Sequence, residues 1–328
     1  MKYRRLGRTG LAVSPICLGT MGYGPPTEQA DVDHMVRLAL DHGINFIDTA
    51  NCYDGPNRGE IVLGTSESML GKALEGLRDD VVLLTKAAVP LRPGPQHRGL
   101  SSTHLQREID NSLRRLRTDY VDIFMIHWPD PFADTEEVLR AIDRIVSSGK
   151  ARYFGISNHQ GWEVCEYLWK ADRRGWPMAG VSEVPLSILD RRYENDLPFY
   201  EKNQIGVIPY QPLKAGILSG RYRRVGMAGN EDRAIAGWEP EMNDAVLDQV
   251  EALMELAEGY GVTLAQFALA WDLAQPAVSS VIVGARADRD LISALEADRI
   301  ARELTADTLA AVDRIAPGPV RPAPRFER

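Results

Sequence analysis

Short apolar runs alternate with longer amphipathic stretches over most of the chain. The apolar runs predict strands at Ile16–Leu18, Asn45–Ile47, Val81–Thr85, Val121–Ile126, Arg152–Ile156, Gly180–Val184, Gly206–Pro209 and Ser280–Val283. A short hairpin is predicted before the first of them. Because most of these runs are continuously apolar rather than alternating, they are typical of parallel strands that are covered on both faces.

The stretches between the runs carry apolar residues at helical spacing. In the first, Val32, Met35, Val36 and Ala39 share one face between cap signals near Thr27 and Gly43. Later stretches predict helices from Ser102, over Thr135–Ser148, over Gln160–Asp172, over 196–203, over 245–258, after the cap residue Thr263, over 288–296 and over 305–315. A polar loop is predicted over Tyr222–Asn243, and the proline-rich tail 316–328 is predicted to be irregular.

Strands alternating with helices predict an α/β protein, and eight such strands favour a (β/α)8 TIM barrel with the hairpin closing its bottom. The alternative is an open doubly wound sheet. Against it, the first strand is followed by Gly19-Thr-Met-Gly22, which lacks the Gly-x-Gly-x-x-Gly spacing of dinucleotide-binding sheets. No linker interrupts the pattern, so residues 1–328 are predicted to form a single domain.

The composition and charge of the chain argue against some kinds of binding partner. The chain has 328 residues, a net charge of −8 and no basic block, which disfavours a nucleic-acid or anionic-membrane partner. No run approaches the roughly 18 apolar residues of a membrane span, and the polar N-terminus does not resemble a signal peptide. The three cysteines, Cys17, Cys52 and Cys165, form neither a disulfide framework nor a metal pattern. A cytoplasmic location with reduced thiols and no metal is therefore expected, whereas the oligomeric state is left open.

Four reactive side chains fall where predicted strands end. Asp48 follows the second strand, Tyr53 lies just beyond it, Lys86 closes the third and His127 closes the fourth. In a (β/α)8 barrel these carboxyl ends form the active site. Each residue alone has an ordinary structural explanation, such as a cap or a solvated charge. Their joint placement predicts a site.

These side chains make a coherent acid–base set. A phenol has a pKa near 10, and the Lys86 ammonium is expected to lower the pKa of Tyr53. Asp48 would hold Lys86 charged, and His127 would orient the substrate. Tyr53 would then donate a proton to a carbonyl oxygen while a cofactor delivers hydride to the carbon.

Several motifs extend this interpretation to a family. Segments 46–55, 64–71, 116–122 and 155–158 resemble aldo-keto reductase motifs, and the likeness runs from Tyr3 to about Ala297. Segments 98–101 and 127–131 resemble the branch that contains potassium-channel β subunits and related bacterial reductases. The resemblance implies NADPH-dependent reduction of an aldehyde or ketone to an alcohol, with Asp48, Tyr53, Lys86 and His127 as the catalytic residues.

The same resemblance implies a cofactor site. Its residues are Gly19, Thr20, Met21, Asp48, Ser157, Asn158, Glu183, Tyr210, Gln211, Leu213, Gly216, Leu218, Arg221, Gly284, Arg286 and Asp290. Ser157 and Asn158 would bind the nicotinamide carboxamide, and Tyr210 would stack on the ring.

Some positions depart from the family pattern. Glu183 replaces the usual Gln, and Asp290 and Ala294 stand where Gln and Asn usually contact the adenosine end. A carboxylate near a 2′-phosphate is unfavourable, so NADPH is predicted and NADH is kept as an alternative.

Substrate contacts are predicted at Tyr23, Tyr53, His127 and Trp128, for a small, sugar-like or ring-containing carbonyl compound. Two other functions stay open. One is an NADPH-binding regulatory subunit with little turnover. The other is a lyase that forms a Schiff base on Lys86, which would require a neutral amine.

Overall fold

A computed structural model describes residues 1–55, 61–221, 243–285 and 287–319. Two short antiparallel strands, β1 (Arg4–Arg5) and β2 (Ala12–Val13), form the predicted hairpin. Eight parallel strands follow in the order β10-β3-β4-β5-β6-β7-β8-β9. Their bounds are β3 Ile16–Gly19, β4 Phe46–Asp48, β5 Val82–Ala87, β6 Val121–Ile126, β7 Ala151–Ser157, β8 Ala179–Pro185, β9 Gly206–Tyr210 and β10 Val281–Val283.

Helices lie between these strands and after the last of them. They are α1 Gln29–Asp41, α2 Thr65–Ala73, α3 Ser102–Leu116, α4 Thr135–Ser147, α5 Gly161–Arg174, α6 Leu197–Lys202, α7 Asp244–Gly259, α8 Leu264–Leu273, α9 Asp288–Ala294, α10 Ala297–Glu303 and α11 Ala306–Ile315. The predicted cap of α8 is confirmed, because the Thr263 side chain accepts a hydrogen bond from the Gln266 backbone. In the part of the chain that is described, no helix is long and apolar enough to cross a membrane.

The sheet closes between β9 and the segment that leads into β10. Val207 N donates to Ala277 O at 2.9 Å, and Ser279 N donates to Val207 O at 2.9 Å. The edge strands of the ladder therefore meet, and the open-sheet alternative is excluded. The predicted (β/α)8 barrel is confirmed.

The hairpin closes the amino-terminal end of the barrel. Leu6 and Val13 are fully buried in the interior cluster that Phe46 and Ile208 also form. Gly7 has φ +53°, and a Cβ added there would lie 2.3 Å from the backbone N of Gly206, where β9 begins. Only glycine fits both the left-handed backbone and this close approach. The interior is thus filled from below by apolar side chains of the hairpin.

Two helices, α2 and α10, were not predicted. α2 buries the polar residues Ser66 and Glu67, so it shows no apolar stripe. Glu67 is compensated by Thr85 Oγ1 at 2.5 Å and Arg115 Nε at 2.6 Å. α10 has only seven residues, too few to establish a periodic pattern. Most of the predicted polar loop, at 222–242, and most of the predicted tail, at 320–328, lie outside the described residues.

Replacing Leu6 by Ala tests the hairpin's contribution. Because Leu6 is fully buried in the barrel interior, Leu6→Ala should lower the free energy of unfolding by about 2–5 kcal/mol. Chemical denaturation followed by circular dichroism measures this change. The matched control is Leu63→Ala, where the side chain is 69% exposed and the change should stay within about 0.5 kcal/mol. Equal losses in the free energy of unfolding of both variants would contradict a role of Leu6 in closing the barrel.

Candidate active site

The four predicted reactive side chains meet at the carboxyl end of the barrel. Asp48 is the last residue of β4, Lys86 lies near the end of β5, and His127 directly follows β6. Tyr53 reaches the same place from the loop after β4. All four are buried. The strand ends bring them together because neighbouring parallel strands present their carboxyl ends at one rim.

Lys86 is the centre of the group. Its ammonium donates to Asp48 Oδ1 in a short hydrogen bond, to Thr49 O at 3.1 Å and to the Tyr53 hydroxyl at 3.1 Å. The Lys86 side chain is 0% exposed. A second carboxylate, Glu183 of β8, has Oε2 at 3.2 Å from Nζ. The sequence predicted Asp48 as the partner of Lys86 but not Glu183, which comes from the far side of the barrel.

The charged form of Lys86 is favoured. Burial acts to lower the pKa of Lys86, but the adjacent charges of Asp48 and Glu183 together raise it well above its ordinary value. The predicted role of Asp48 is therefore supported. A Schiff-base lysine must be neutral to attack a carbonyl, so this environment opposes the lyase alternative.

Burial outweighs the predicted effect of Lys86 on the pKa of Tyr53. Burial raises the pKa of Tyr53 well above its ordinary value, and the Lys86 charge opposes this shift without cancelling it. The charges of Asp48 and Glu183 also act upward. The sequence shows that an ammonium lies near Tyr53, but it does not show how far burial removes water from the phenol, and this loss of water raises the pKa of Tyr53. Tyr53 consequently keeps its proton at neutral pH.

His127 is held by contacts on several sides. Its ring lies edge-on to Tyr53, with centroids 5.9 Å apart, and is stacked with Trp128 at 6.4 Å. Cys52 Sγ lies 3.6 Å from His127 Nδ1, and the His127 backbone N donates to Ala87 O at 2.9 Å. Sequence reasoning gave Cys52 no such role, because a lone thiol carries no motif. The contact orients one edge of the imidazole.

Residues of the predicted carboxamide and stacking sites lie next to His127. Asn158 Nδ2 donates to His127 O at 3.0 Å and to Ser157 Oγ at 2.9 Å. The Tyr210 hydroxyl donates to Asn158 Oδ1 at 2.8 Å. Asn158 has φ 62°, a left-handed backbone that Asn tolerates better than most residues. The structure thus joins three predicted cofactor residues in one hydrogen-bonded group beside the reactive centre.

The predicted cofactor residues Gly19, Thr20 and Met21 lie at the end of β3 and directly after it, where they contact other parts of the barrel. Thr20 Oγ1 donates to Asp48 O at 2.9 Å, which fixes the end of β4. A Cβ on Gly19 would lie 2.6 Å from Ile282 Cγ2. Met21 packs against the small cluster that contains Tyr53, whereas Tyr23 lies in the hydrophobic core. The predicted substrate contact at Tyr23 therefore has little open surface, while Trp128 is 47% exposed.

The loop after β9 contains the next predicted set. Gln211 and Gly216 both have positive φ, at 54° and 93°, so the backbone turns tightly at the barrel rim. Leu213 is half-buried and Leu218 is fully buried, while Arg221 is exposed. Among these predicted cofactor residues, Arg221 therefore carries a positive charge that is exposed to solvent.

The region after β10 carries acidic residues. Gly284 is exposed, and the first turn of α9 contains Asp288 and Asp290. Asp288 pairs with His34 at 2.9 Å, and Asp290 lies 3.7 Å from Arg289. Ala294 is buried, and the predicted phosphate contact Arg286 lies outside the described residues. Among the residues that are described, no cluster of His, Cys, Asp or Glu could hold a metal ion.

Comparisons with known proteins agree with this geometry. The model of the aldo/keto reductase family matches residues 15–317. The chain is 34% identical to an uncharacterized oxidoreductase, YrpG, of Bacillus subtilis over 97% of each chain. It is 32% identical to a probable voltage-gated potassium channel subunit beta of Arabidopsis thaliana over 96% of each chain. It is 33% identical to the versiconal hemiacetal acetate reductase of Aspergillus parasiticus, over 86% of this chain and 88% of the relative.

The predicted likeness to the branch of bacterial reductases and potassium-channel β subunits is confirmed by these relatives. The family match covers all four reactive side chains and every strand of the barrel. The chain therefore belongs to the aldo/keto reductase family, a family of oxidoreductases that act on carbonyl groups.

Proposed function

We propose that this protein is an NADPH-dependent reductase that converts an aldehyde or ketone to an alcohol, with Tyr53 as the general acid. One observation carries the proposal. The Tyr53 hydroxyl lies 3.1 Å from the Lys86 ammonium, which Asp48 binds in turn. A buried phenol beside a fixed positive charge is suited to give up a proton when an acceptor of high basicity forms next to it.

The raised pKa of Tyr53 is compatible with this role. The phenol stays protonated while the site waits for substrate. As the carbonyl carbon is reduced, its oxygen becomes an alkoxide, which is a stronger base than a phenolate. Proton transfer is then favourable, and the Lys86 charge stabilises the phenolate that is left behind.

His127 positions the carbonyl oxygen for that transfer. Its ring lies edge-on to Tyr53, and Cys52 at Nδ1 limits its rotation. Trp128 stacks on the imidazole and is half-exposed, so it offers an apolar surface for a flat substrate. A small ring-containing or sugar-like carbonyl compound fits this combination.

The residues at the carboxyl end of the barrel fit a nicotinamide cofactor. Bound nicotinamide would supply hydride to the carbonyl carbon. Asn158, Ser157 and Tyr210 form a fixed group beside His127, and the buried Glu183 carboxyl group lies at the same end of the barrel, 3.2 Å from Lys86 Nζ. Arg221 and Arg286 favour NADPH, whereas Asp290 works against it.

A second candidate function is a regulatory subunit that binds NADPH and turns over little substrate. It is supported by the relatives from Arabidopsis thaliana and Oryza sativa that bear the name of potassium channel subunit beta. The intact set of Tyr53, Lys86, Asp48 and His127 favours the reductase. Cofactor binding without turnover of any carbonyl compound would favour the regulatory function instead.

Replacing Tyr53 by Phe tests the reaction. Tyr53→Phe should lower kcat for carbonyl reduction by roughly 10²–10⁴-fold, because it removes the proton donor and leaves the ring in place. Turnover is measured by the loss of NADPH absorbance with a panel of aldehydes and ketones. NADPH binding, followed by protein fluorescence, should be unchanged. Tyr3→Phe, at an exposed position, is the control, and a Tyr53→Phe variant as fast as wild type would refute the proposal.

Replacing Asp290 by Asn tests the cofactor preference. Removing this carboxylate should tighten NADPH binding by roughly two- to fivefold, as expected for an exposed charge interaction of about 0.5–1 kcal/mol, and leave NADH binding unchanged. Parallel fluorescence titrations with both cofactors measure the ratio. Asp307→Asn, in the first turn of α11, is the matched control. Equal tightening of NADPH and NADH would contradict a contact near the 2′-phosphate.

A further inference from the structure

The active site contains two buried carboxyl groups next to Lys86, although one is enough to balance its charge. Lys86 contacts Asp48 on one side and Glu183 on the other, and the three side chains are 0–3% exposed. Asp48 alone neutralises the ammonium. If Glu183 were also ionised, the cluster would carry an uncompensated negative charge away from water, which is costly.

The two carboxyl groups are not equivalent. Asp48 accepts a hydrogen bond from the Lys86 ammonium. Glu183 Oε2 is 3.2 Å from the same nitrogen, and the Glu183 and Asp48 carboxyl groups also interact by a hydrogen bond. A hydrogen bond between two carboxyl groups requires a proton on one of them, and this bond raises the pKa of Glu183 while it lowers the pKa of Asp48. Glu183 therefore bears the excess proton of the cluster.

The groups around Glu183 do not supply a second positive charge. On the strands that face it lie Cys17 of β3, Asp48 of β4, Lys86 of β5 and Tyr210 of β9, with Tyr53 in the loop after β4. Burial raises the pKa of Cys17, Tyr53 and Tyr210, so these groups are neutral. Burial, reinforced by the charge of Asp48, likewise raises the pKa of Glu183 to about 8.

We propose that Glu183 is a proton store for the reaction, which returns a proton to Tyr53 through Lys86 after each reduction. This inference rests on the proposed reductase function. The distances fit a relay, since Lys86 Nζ lies 3.1 Å from the Tyr53 hydroxyl and 3.2 Å from Glu183 Oε2. Glu183 is thereby a positioning and proton-supplying residue behind the acid that touches the substrate.

The proton transfers balance. Tyr53 gives its proton to the alkoxide formed by hydride addition and becomes a phenolate. The Lys86 ammonium passes a proton to the phenolate as it takes the proton of the Glu183 carboxylic acid, so Lys86 stays charged throughout. The cycle ends with neutral Tyr53, charged Lys86 and ionised Glu183, which takes up a proton from water before the next reduction.

The variant that tests this relay is Glu183→Gln, which keeps the size of the side chain and removes its ionisation. The wild-type kcat for reduction should fall as pH rises through the pKa that Glu183 has in the cofactor complex, because Glu183 then starts each cycle without its proton. Glu183→Gln should lack this inflection and should be about tenfold or more slower below it, less than the roughly 10²–10⁴-fold of direct acid catalysis. Above the inflection the two rates should converge.

Thermal unfolding without cofactor gives a second readout. A carboxyl group whose pKa is raised in the folded state adds stability that is fully present below its ordinary pKa of 4.5 and lost as pH rises to about 8. The Tm of wild type should therefore fall across this window relative to the Tm of Glu183→Gln. Glu166→Gln, a surface glutamate paired with Lys170, is the control and should follow wild type.

The outcomes separate the two proposals. Parallel Tm curves for wild type and Glu183→Gln would overturn the stored proton, whatever the enzyme does. A Tm difference together with identical pH profiles of kcat would overturn the relay but leave the reductase intact. No turnover of any carbonyl compound by wild type would overturn the reductase and the relay together, while the Tm curves would still decide whether Glu183 holds a proton.

Discussion

The buried ammonium of Lys86 is the interaction on which the site depends. It joins β5 to Asp48 at the end of β4, to Glu183 of β8 and to the loop that carries Tyr53. Removing a charge from water is costly unless it is paired and hydrogen-bonded. The barrel satisfies this condition by bringing acceptors from strands that are far apart in sequence to the same rim.

The closed barrel is what makes this pairing possible. Closure between β9 and the segment before β10 allows β8 to face β4 and β5 across the interior. The hairpin fills the opposite end with Leu6 and Val13, so the interior below the site stays apolar. The apolar interior and the charged carboxyl end of the barrel therefore depend on each other. The low polarity that raises the pKa of Tyr53 also strengthens the hold of Asp48 on Lys86.

Neighbouring residues orient the reactive side chains by further contacts. Thr20 binds the backbone of Asp48, Cys52 lies against the imidazole of His127, and Asn158 bridges His127 and Tyr210. The residues proposed to bind the cofactor are therefore connected to the catalytic residues by hydrogen bonds. Cofactor binding at Asn158 would consequently act directly on the position of His127.

The barrel, its strands and the placement of Asp48, Tyr53, Lys86 and His127 at the strand ends could all be predicted from the amino-acid sequence. Apolar runs at regular intervals are a local property, and residues such as Asp48 and His127 directly follow them. Helix α2 could not be predicted in this way. Its buried face includes the charged residue Glu67, which is compensated by Thr85 and Arg115. Such compensation between distant residues leaves no periodic trace in the sequence.

The electrostatics of the site could not be predicted in this way, because they depend on the folded barrel. The motif placed Lys86 near Tyr53, and from this pair the pKa of Tyr53 was expected to fall. Burial, reinforced by the charges of Asp48 and Glu183, reverses the net direction. The physical reason is that a pKa depends on the water and charges around a group in three dimensions. In this protein Glu183 of β8 reaches Lys86 of β5 only because the sheet closes into a barrel.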